Sequence, residues 1–480
     1  MTYSAPSYIA LELTGDCNLN CKHCYGNFPR KQEGEFTTQE VCDLIDELYK
    51  FGVFRLELGG GEPSLRDDFI EILRFANQYP DLNLTIVTNG CSWTEKDIVE
   101  VASLTKNKKM IHLSMDGYDP DSYSILRRNK KAFQKALETT KLMLKHGIDV
   151  RWNYAVGKKT YKNLKRTINL AKELGVRHIR LMLLYNTGRA AAEQEMGFNY
   201  TEFQQFMVDY VEDISVNSPV SVSLALTQPF EYFVPLMEKG YSKEDVFRRI
   251  PNAASYLDDK NYKSQTDLAC SAGRLQSAIS PTGDMFFCCV LSCRPEFAGG
   301  NIFETSLPDI WNNSPMYKWI RNLRLKDLNT DCDECKYKHI CGGGCRARAL
   351  FSSGDFLGPD PLCPFVSKKQ KENVPIPFID KTPIDEVRSI IKSDSIETFS
   401  VEYNGNVIRV RPEEFGASLY IPDHSYLDVN NYGFEILESI YKLKSKSKAI
   451  NFLTQKYNVS KKKMEDIVDS FLTNIVTSSK

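Results

Sequence analysis

From Tyr8 to Leu184 the sequence repeats one alternation: a short apolar, strand-like run, then an amphipathic stretch of helical period, then another run. Strands that recur with helices between them lie parallel and are joined by helical crossovers, which makes this half of the chain α/β. Six strands are predicted, over Tyr8–Leu13, Phe54–Leu58, Leu82–Thr88, Met110–Met115, Asp149–Tyr154 and His178–Leu184, and six strand-helix units describe a partial (β/α)6 barrel. The first helix is well punctuated: Thr37 stands three residues before Glu40 as a capping box, and Gly52 follows the helix end.

The unusual residues collect at the C-terminal ends of these strands, the rim where barrel active sites are built. Cys17-Asn18-Leu19-Asn20-Cys21-Lys22-His23-Cys24-Tyr25 follows the first strand and Gly59-Gly60-Gly61-Glu62-Pro63 the second. Thr88-Asn89-Gly90 and Ser114-Met115-Asp116-Gly117 mark the third and fourth, the fifth ends near Asn153, and Asn186-Thr187-Gly188-Arg189 follows the sixth. Cys17, Cys21 and Cys24 stand at C-x3-C-x2-C spacing. Three thiolates leave one iron of a 4Fe-4S cubane open to a substrate or cofactor, whereas a structural zinc is closed by four ligands. The bland alternative is a zinc knuckle with His23 as fourth ligand, but His23 adjoins Cys24 too closely to chelate easily.

This loop, with Tyr25 after its last cysteine, resembles the signature of the radical S-adenosylmethionine (SAM) superfamily, and Gly60-Gly61-Glu62-Pro63 resembles its GGEP motif. The resemblance implies a partial TIM barrel in which Cys17, Cys21 and Cys24 hold a SAM-binding 4Fe-4S cluster. It implies reductive cleavage of SAM to a 5'-deoxyadenosyl radical that abstracts a substrate hydrogen. It also implies SAM contacts at Gly60, Gly61, Glu62, Pro63, Asn89, Ser114 and Asp116, with Arg128 or its neighbour Arg127 pairing the SAM carboxylate.

The chain has 480 residues, 42% of them hydrophobic, which is enough for about three domains. With 61 Lys+Arg against 62 Asp+Glu, no global field favours nucleic acid or an anionic membrane. No apolar run approaches the roughly 20 residues that cross a bilayer, and Met1-Thr2-Tyr3-Ser4 lacks a secretory signal, so a cytoplasmic protein is expected. In that compartment 14 cysteines point to metal ligation and not to disulfides.

Nine of the remaining cysteines lie between Cys270 and Cys363: Cys270, then Gly283 with Cys288 after a four-residue gap, Cys289, Cys293, then Cys332-x2-Cys335-x5-Cys341-x3-Cys345, and Cys363. Cys42 and Cys91 fall outside and carry no assigned role. The pairs around Cys332 and Cys341 alone would suit a zinc ribbon. The whole order resembles the SPASM domain, which implies two auxiliary 4Fe-4S clusters, one on Cys270, Cys288 and Cys345, the other on Cys332, Cys335, Cys341 and Cys363. The fourth ligand of the former is open among Cys289, Cys293 and none. Cys293 is the better fit, because adjacent residues on a strand face opposite ways and Cys288 already faces the cluster. Gly342-Gly343-Gly344 lets the flanking cysteines diverge.

Four regions result: a barrel over 1–240, the auxiliary-cluster domain over 241–366, a linker over 367–395 and a third domain over 396–480. The linker, lysine-rich and proline-punctuated, carries a predicted short helix over Ile384–Lys392. Alternation from Glu397 to Val429, with turns at Asn404-Gly405 and Pro422-Asp423, predicts three antiparallel strands, and helices are predicted over Tyr432–Leu443, Ser447–Tyr457 and Ser460–Val476. This winged-helix-like order resembles the PqqD-like recognition element, which implies binding of the leader of a ribosomal precursor peptide as an added strand. A DNA-binding winged helix or a dimerisation module is the alternative, given Lys461-Lys462-Lys463.

Together these resemblances imply a radical SAM peptide maturase forming a thioether or carbon-carbon crosslink. Its partners would be a precursor peptide and an electron donor such as flavodoxin or ferredoxin, with no membrane and no nucleic acid. The alternatives are an anaerobic sulfatase maturase and a non-catalytic iron-sulfur redox or regulatory protein. No residue stands out as catalytic base.

Overall fold

The predicted runs become strands because each carries branched or aromatic residues on one face that only burial can satisfy. In the computed structural model they are β1 (Tyr8–Thr14), β2 (Arg55–Gly60), β3 (Asn83–Thr88), β4 (Lys109–Ser114), β5 (Val150–Val156) and β6 (His178–Leu183). The structure describes residues 3–107, 109–193, 196–226, 228–250, 253, 268–369, 375–377, 389–421 and 426–477. All six strands pair in parallel in sequence order. Outward residues such as Leu56, Leu58, Ile111, Leu113, Ile179 and Leu181 are buried against the helices. The capping box at Thr37 forms as expected and opens the helix Thr38–Lys50.

Two extensions go beyond the six-strand expectation. A seventh parallel strand, β7 (Ser221–Ala225), adds to β6. On the other side β8 (Gln276–Ile279) pairs in parallel with β1, and β9 (Asp284–Phe286) and β10 (Ala298–Asn301) follow antiparallel. The result is one sheet of ten strands, ordered β10-β9-β8-β1-β2-β3-β4-β5-β6-β7. Three strands of the auxiliary cysteine region therefore extend the barrel sheet from β1.

The C-terminal region forms its own antiparallel sheet of four strands, β11 (Phe399–Tyr403), β12 (Asn406–Glu413), β13 (Gly416–Tyr420) and β14 (Tyr426–Asn430), one more than expected. The helices Asn431–Leu443, Lys446–Tyr457 and Lys461–Thr477 follow and close a separate apolar core. The predicted turn at Pro422-Asp423 and most of the linker helix lie outside the described residues, and 389–392, the described end of that helix, is not helical.

Two arginines of β12 fasten this sheet beneath the barrel. Arg409 Nη1 donates to the carbonyl of Val53 at 2.6 Å and its Nη2 to that of Tyr49 at 3.0 Å. Arg411 Nη1 reaches the carbonyls of Gly52 (3.0 Å) and Pro6 (3.2 Å), and its Nε pairs with Glu413 at 2.7 Å. Both guanidiniums are buried, with Phe54 under them and Tyr420 and Tyr426 stacked on the same ring. All these barrel residues precede or begin β1 and β2, so the C-terminal domain covers the N-terminal face, opposite the cysteine loop.

Candidate active site and cluster-binding centres

β1 ends at Thr14 and delivers the chain into the cysteine loop at the barrel rim. The loop is held from several sides at once. Arg30 N donates to Gly15 O at 2.7 Å, Lys22 N to Leu126 O at 2.8 Å, and Arg189 N to Cys24 O at 2.9 Å. Arg189 also sends Nη1 to Cys21 O at 2.6 Å and Nη2 to Phe28 O. Gly188 is obligatory beside it, since a Cβ there would lie 2.2 Å from Tyr25 O.

Backbone N–H groups already point at the sulfurs: Phe28 N lies 3.3 Å from Cys24 Sγ, and Leu19 N lies 3.5 Å from Cys17 Sγ. Such bonds stabilise negative sulfur. Burial pushes the Cys17 thiol up to about 12 and raises Cys24 as well, so thiolates here need a metal in place of the proton. The donor set fits a three-thiolate cluster. His23 does not join it. Its Nε2 faces Asp116 at 3.9 Å, and burial, reinforced by Arg127, lowers its pKa to about 4, so the ring is neutral.

Gly60-Gly61-Glu62-Pro63 packs directly on this loop. Gly61 N donates to Thr14 O and Glu62 N to Asp16 O, both at 2.8 Å, and a Cβ on Gly61 would meet Asp16 O at 1.9 Å. Gly60 adopts φ +106°, a region closed to other residues without strain. The Glu62 carboxylate is buried and fully engaged, accepting from Thr88 Oγ1 (2.6 Å), Asn89 N (2.6 Å), Ser64 Oγ (2.5 Å) and Ser64 N (3.3 Å). Its side chain thus ties the ends of β2 and β3, leaving the glycine backbone to face the rim. Asn89 completes the link, its Nδ2 2.8 Å from Asn18 Oδ1 and 3.9 Å from Cys17 Sγ.

Ser114 ends β4 opposite Asn153 and is buried. Asp116 has no exposed surface, and both its oxygens are taken, one by Arg127 Nε at 2.6 Å and the other by Ala155 N at 2.7 Å. Arg127 Nη1 lies 3.6 Å from Cys21 Sγ. Arg128, by contrast, takes a left-handed conformation and pairs at 2.7 Å with Glu193 on the surface. Of the two arginines, Arg127 is the one at the cluster loop. The sequence could not separate adjacent positions at a helix end whose register the capping residue decides.

The auxiliary cysteines fall into two groups. Cys332, Cys335, Cys341 and Cys363 line one cavity with Gly343, Gly344 and Asp360. Gly342, Gly343 and Gly344 all adopt positive φ, turning the chain so that Cys345 leaves this cavity. In the other group Cys288 is pushed far up by its hydrogen bond to Cys289, then by burial and by the nearby Cys270 and Cys345. The strand-alternation argument for Cys293 does not apply: β9 ends at Phe286, and Cys289–Leu291 is a 3-10 turn. Cys293 turns instead to Tyr25 O, 3.5 Å away, beside Arg30 and Glu12.

A buried ion network unites the two groups. Asp360 accepts from Cys345 N at 2.7 Å and from Arg348 Nη2 at 2.6 Å, while Arg348 Nη1 pairs with Glu231 and its guanidinium lies 4.5 Å from the Tyr185 ring centre. Burial acts to raise Asp360, but Arg348 and the backbone donors hold it below the usual carboxylate range. Neither Arg348 nor Asp360 was marked by the sequence, where both sit in ordinary polar surroundings.

Comparison with known proteins agrees with this geometry. Residues 11–159 match the radical SAM superfamily and residues 270–336 the SPASM iron-sulfur cluster-binding domain. The AdoMet-dependent heme synthase of Methanosarcina barkeri is 30% identical over 361 residues, covering 75% of this chain and 97% of that protein. The chain belongs to the radical SAM superfamily. Its cofactors are iron-sulfur clusters and S-adenosylmethionine. This radical SAM protein is also 26% identical over 362 residues to the mycofactocin maturase MftC of Mycobacterium ulcerans, covering 75% of this chain and 88% of that one. Its fold is shared with Streptococcus suis SuiB bound to the precursor peptide SuiA, at TM-score 0.58 and 18% identity over 75% of this chain and 76% of that one. Among the described residues no helix is long and apolar enough to cross a membrane.

Proposed function

We propose that this radical SAM enzyme modifies a ribosomally made precursor peptide, held in part by the C-terminal domain. The observation that carries the reading is that domain's position. Its four-stranded sheet is locked to the barrel by Arg409 and Arg411 and has an edge strand at each side, β11 and β14, to which an extended peptide can add. The similarity to MftC, a maturase by name, points the same way.

When bound, a cluster with SAM supplies reductive cleavage and hydrogen abstraction. The chain's own residues prepare for that. Cys17, Cys21 and Cys24 would hold the SAM-binding cluster, Gly60 and Gly61 offer backbone close to it, Pro63 fixes the turn, Glu62 and Asn89 fix the loop, and Asp116 aims Arg127 at Cys21. Of the two arginines that the resemblance left open, Arg127 takes this place, with Arg128 turned to Glu193 on the surface, and Ser114 lines the rim. Two further clusters would be held by Cys332, Cys335, Cys341 and Cys363 and by Cys270, Cys288, Cys345 and Cys289, with Cys289 replacing Cys293. These would carry the second electron of a net two-electron oxidation, giving a thioether or carbon-carbon crosslink, with flavodoxin or ferredoxin as reductant in the cytoplasm.

The test is high-resolution mass spectrometry of the short peptide encoded beside the gene, after anaerobic co-expression with wild type or a Cys17, Cys21 and Cys24 to Ala variant. Loss of two hydrogens per modification with wild type alone is expected. The 30% identity to a heme synthase, almost along that protein's full length, favours a second reading with a tetrapyrrole substrate. An unchanged peptide together with conversion of a haem precursor would establish it.

A further inference from the structure

Side chains alternate across a barrel strand, so the residues between the buried outward positions of β2, β4, β5 and β6 face the lumen. Three of them are arginines: Arg55, Arg151 and Arg180. Few carboxylates balance them. Glu57 lies 3.9 Å from Arg55, and Asp149, itself about half exposed, lies 3.7 Å from Arg151. The Arg180 guanidinium has no hydrogen-bond or ion-pair partner among the described residues.

Register brings unsatisfied polar groups to the same place. Arg180 pairs across the sheet with Asn153, and Arg151 pairs with His112. Asn153 and His112 are 5% and 4% exposed, and the Nδ1 of His112, which can donate in the neutral ring, is buried without a hydrogen-bond partner. The Nε of Arg151 is likewise buried without a hydrogen bond, Asp149 standing off at 3.7 Å. Burial, then Arg180, Arg55 and Arg151, push His112 far below its usual range, which reports a positive field at this level of the barrel. The lumen is open here, for Met182, on the same face of β6, is 39% exposed.

We propose that this half of the lumen is a carboxylate-binding site, in which Arg180 and Arg151 pair with an acidic group of the substrate beside Asn153 and His112. The charge-assisted pairing gives Arg180 the partner it otherwise lacks and gives Arg151 a second one besides the half-exposed Asp149. A carboxylate anchored here is held in the barrel below the cysteine loop, so the carbon presented to that loop lies toward the rim from the acidic group. The proposal rests on the reading of this lumen as the substrate chamber for a peptide, whose carboxylate is either its C-terminus or an Asp or Glu side chain.

Phenylglyoxal labelling of the anaerobically reconstituted full-length enzyme, mapped by peptide mass spectrometry, tests it without any turnover. The probes are N-acetylglutamine, which has only an α-carboxylate, N-acetylglutamate α-amide, which has only a side-chain carboxylate, and N-acetylglutamine amide, which has neither. Each is used at about 50 mM, above the millimolar Kd of a weak ion-paired complex. At least fivefold slower labelling of Arg180 with one or both acids, and none with the amide, is expected, and the acid that protects identifies the source. The exposed Arg74 and Arg248 should label at one rate throughout. Equal labelling of Arg180 in all three arms would overturn the proposal. Because no product is read, that failure is distinct from failure of the peptide reading, which the co-expression experiment decides.

Discussion

Arg127 stands between a buried carboxylate and a cluster thiol, 2.6 Å from Asp116 and with Nη1 3.6 Å from Cys21 Sγ. The pair sets a positive charge against a sulfur that becomes negative when it ligates iron, and it fixes the strand end through Ala155 N. Replacing Arg127 by Gln leaves Asp116 buried and uncompensated. Removal of one partner from such a pair costs about 3–5 kcal/mol. Thermal unfolding of the reconstituted enzyme should show that loss, and iron content per chain should fall, whereas Arg128→Gln, on the surface, should change neither measurably.

Gly61→Ala should damage the site without touching any thiol. Its Cβ would sit 1.9 Å from Asp16 O, so either the glycine turn or the cysteine loop must move. Overpacking of this kind costs about 1–3 kcal/mol. Calorimetric titration with SAM should show weakened binding while the auxiliary-cluster absorbance persists. Unchanged SAM affinity would show that the close contact does not shape the SAM site.

Arg348→Met should unsettle both auxiliary groups together. It strands Asp360 and Glu231 in the interior, again at a cost of about 3–5 kcal/mol. Asp360 also receives Cys345 N, so loss of iron should extend beyond the cavity lined by Cys332. Iron and sulfide analysis of the purified variant against wild type would show it.

His178 makes stability depend on mildly acidic pH. Its ring bridges Ser221 Oγ (3.1 Å) and Ser223 Oγ (2.9 Å) on β7, and burial, helped by Arg151, lowers its pKa from 6.5 to about 4. Below pH 6.5 the unfolded chain therefore binds a proton that the native state refuses, and stability falls as pH drops toward 4. Allowing for the ring's partial exposure, the loss is about 2 kcal/mol. Denaturant unfolding between pH 7 and pH 5 should show this slope in wild type and a flatter one in His178→Asn.

The barrel was legible because each strand from β1 to β6 carries its outward residues, Leu56 and Leu58 or Ile179 and Leu181, in clean period-two runs. β7 was missed because Ser221-Val222-Ser223-Leu224-Ala225 is short and half polar, satisfied by pairing with β6 and not by a core of its own. The cysteine spacing marked the rim loop, and the resemblance of the later cysteines implied the grouping at Cys332, but neither could show that the chain after Phe286 turns as a 3-10 helix, which removes the strand alternation behind the preference for Cys293. Arg409 and Arg411 were invisible for a different reason. Charged residues in an alternating strand read as a solvated face, and only the barrel carbonyls they meet, more than 350 positions away in sequence, reveal them as buried.

Those two arginines also set a reach requirement. They hold the C-terminal sheet at the opposite end of the barrel from Cys17, Cys21 and Cys24, and the seven residues of β1 alone span about 23 Å at 3.3 Å per residue. A peptide gripped by that sheet must therefore carry an arm of at least about seven extended residues, and more if it follows the outer wall, before any of its side chains can arrive at the rim. Residues closer to the grip would be passed over whatever their chemistry, so an enzyme holding its peptide in this way would measure its substrate as well as recognise it.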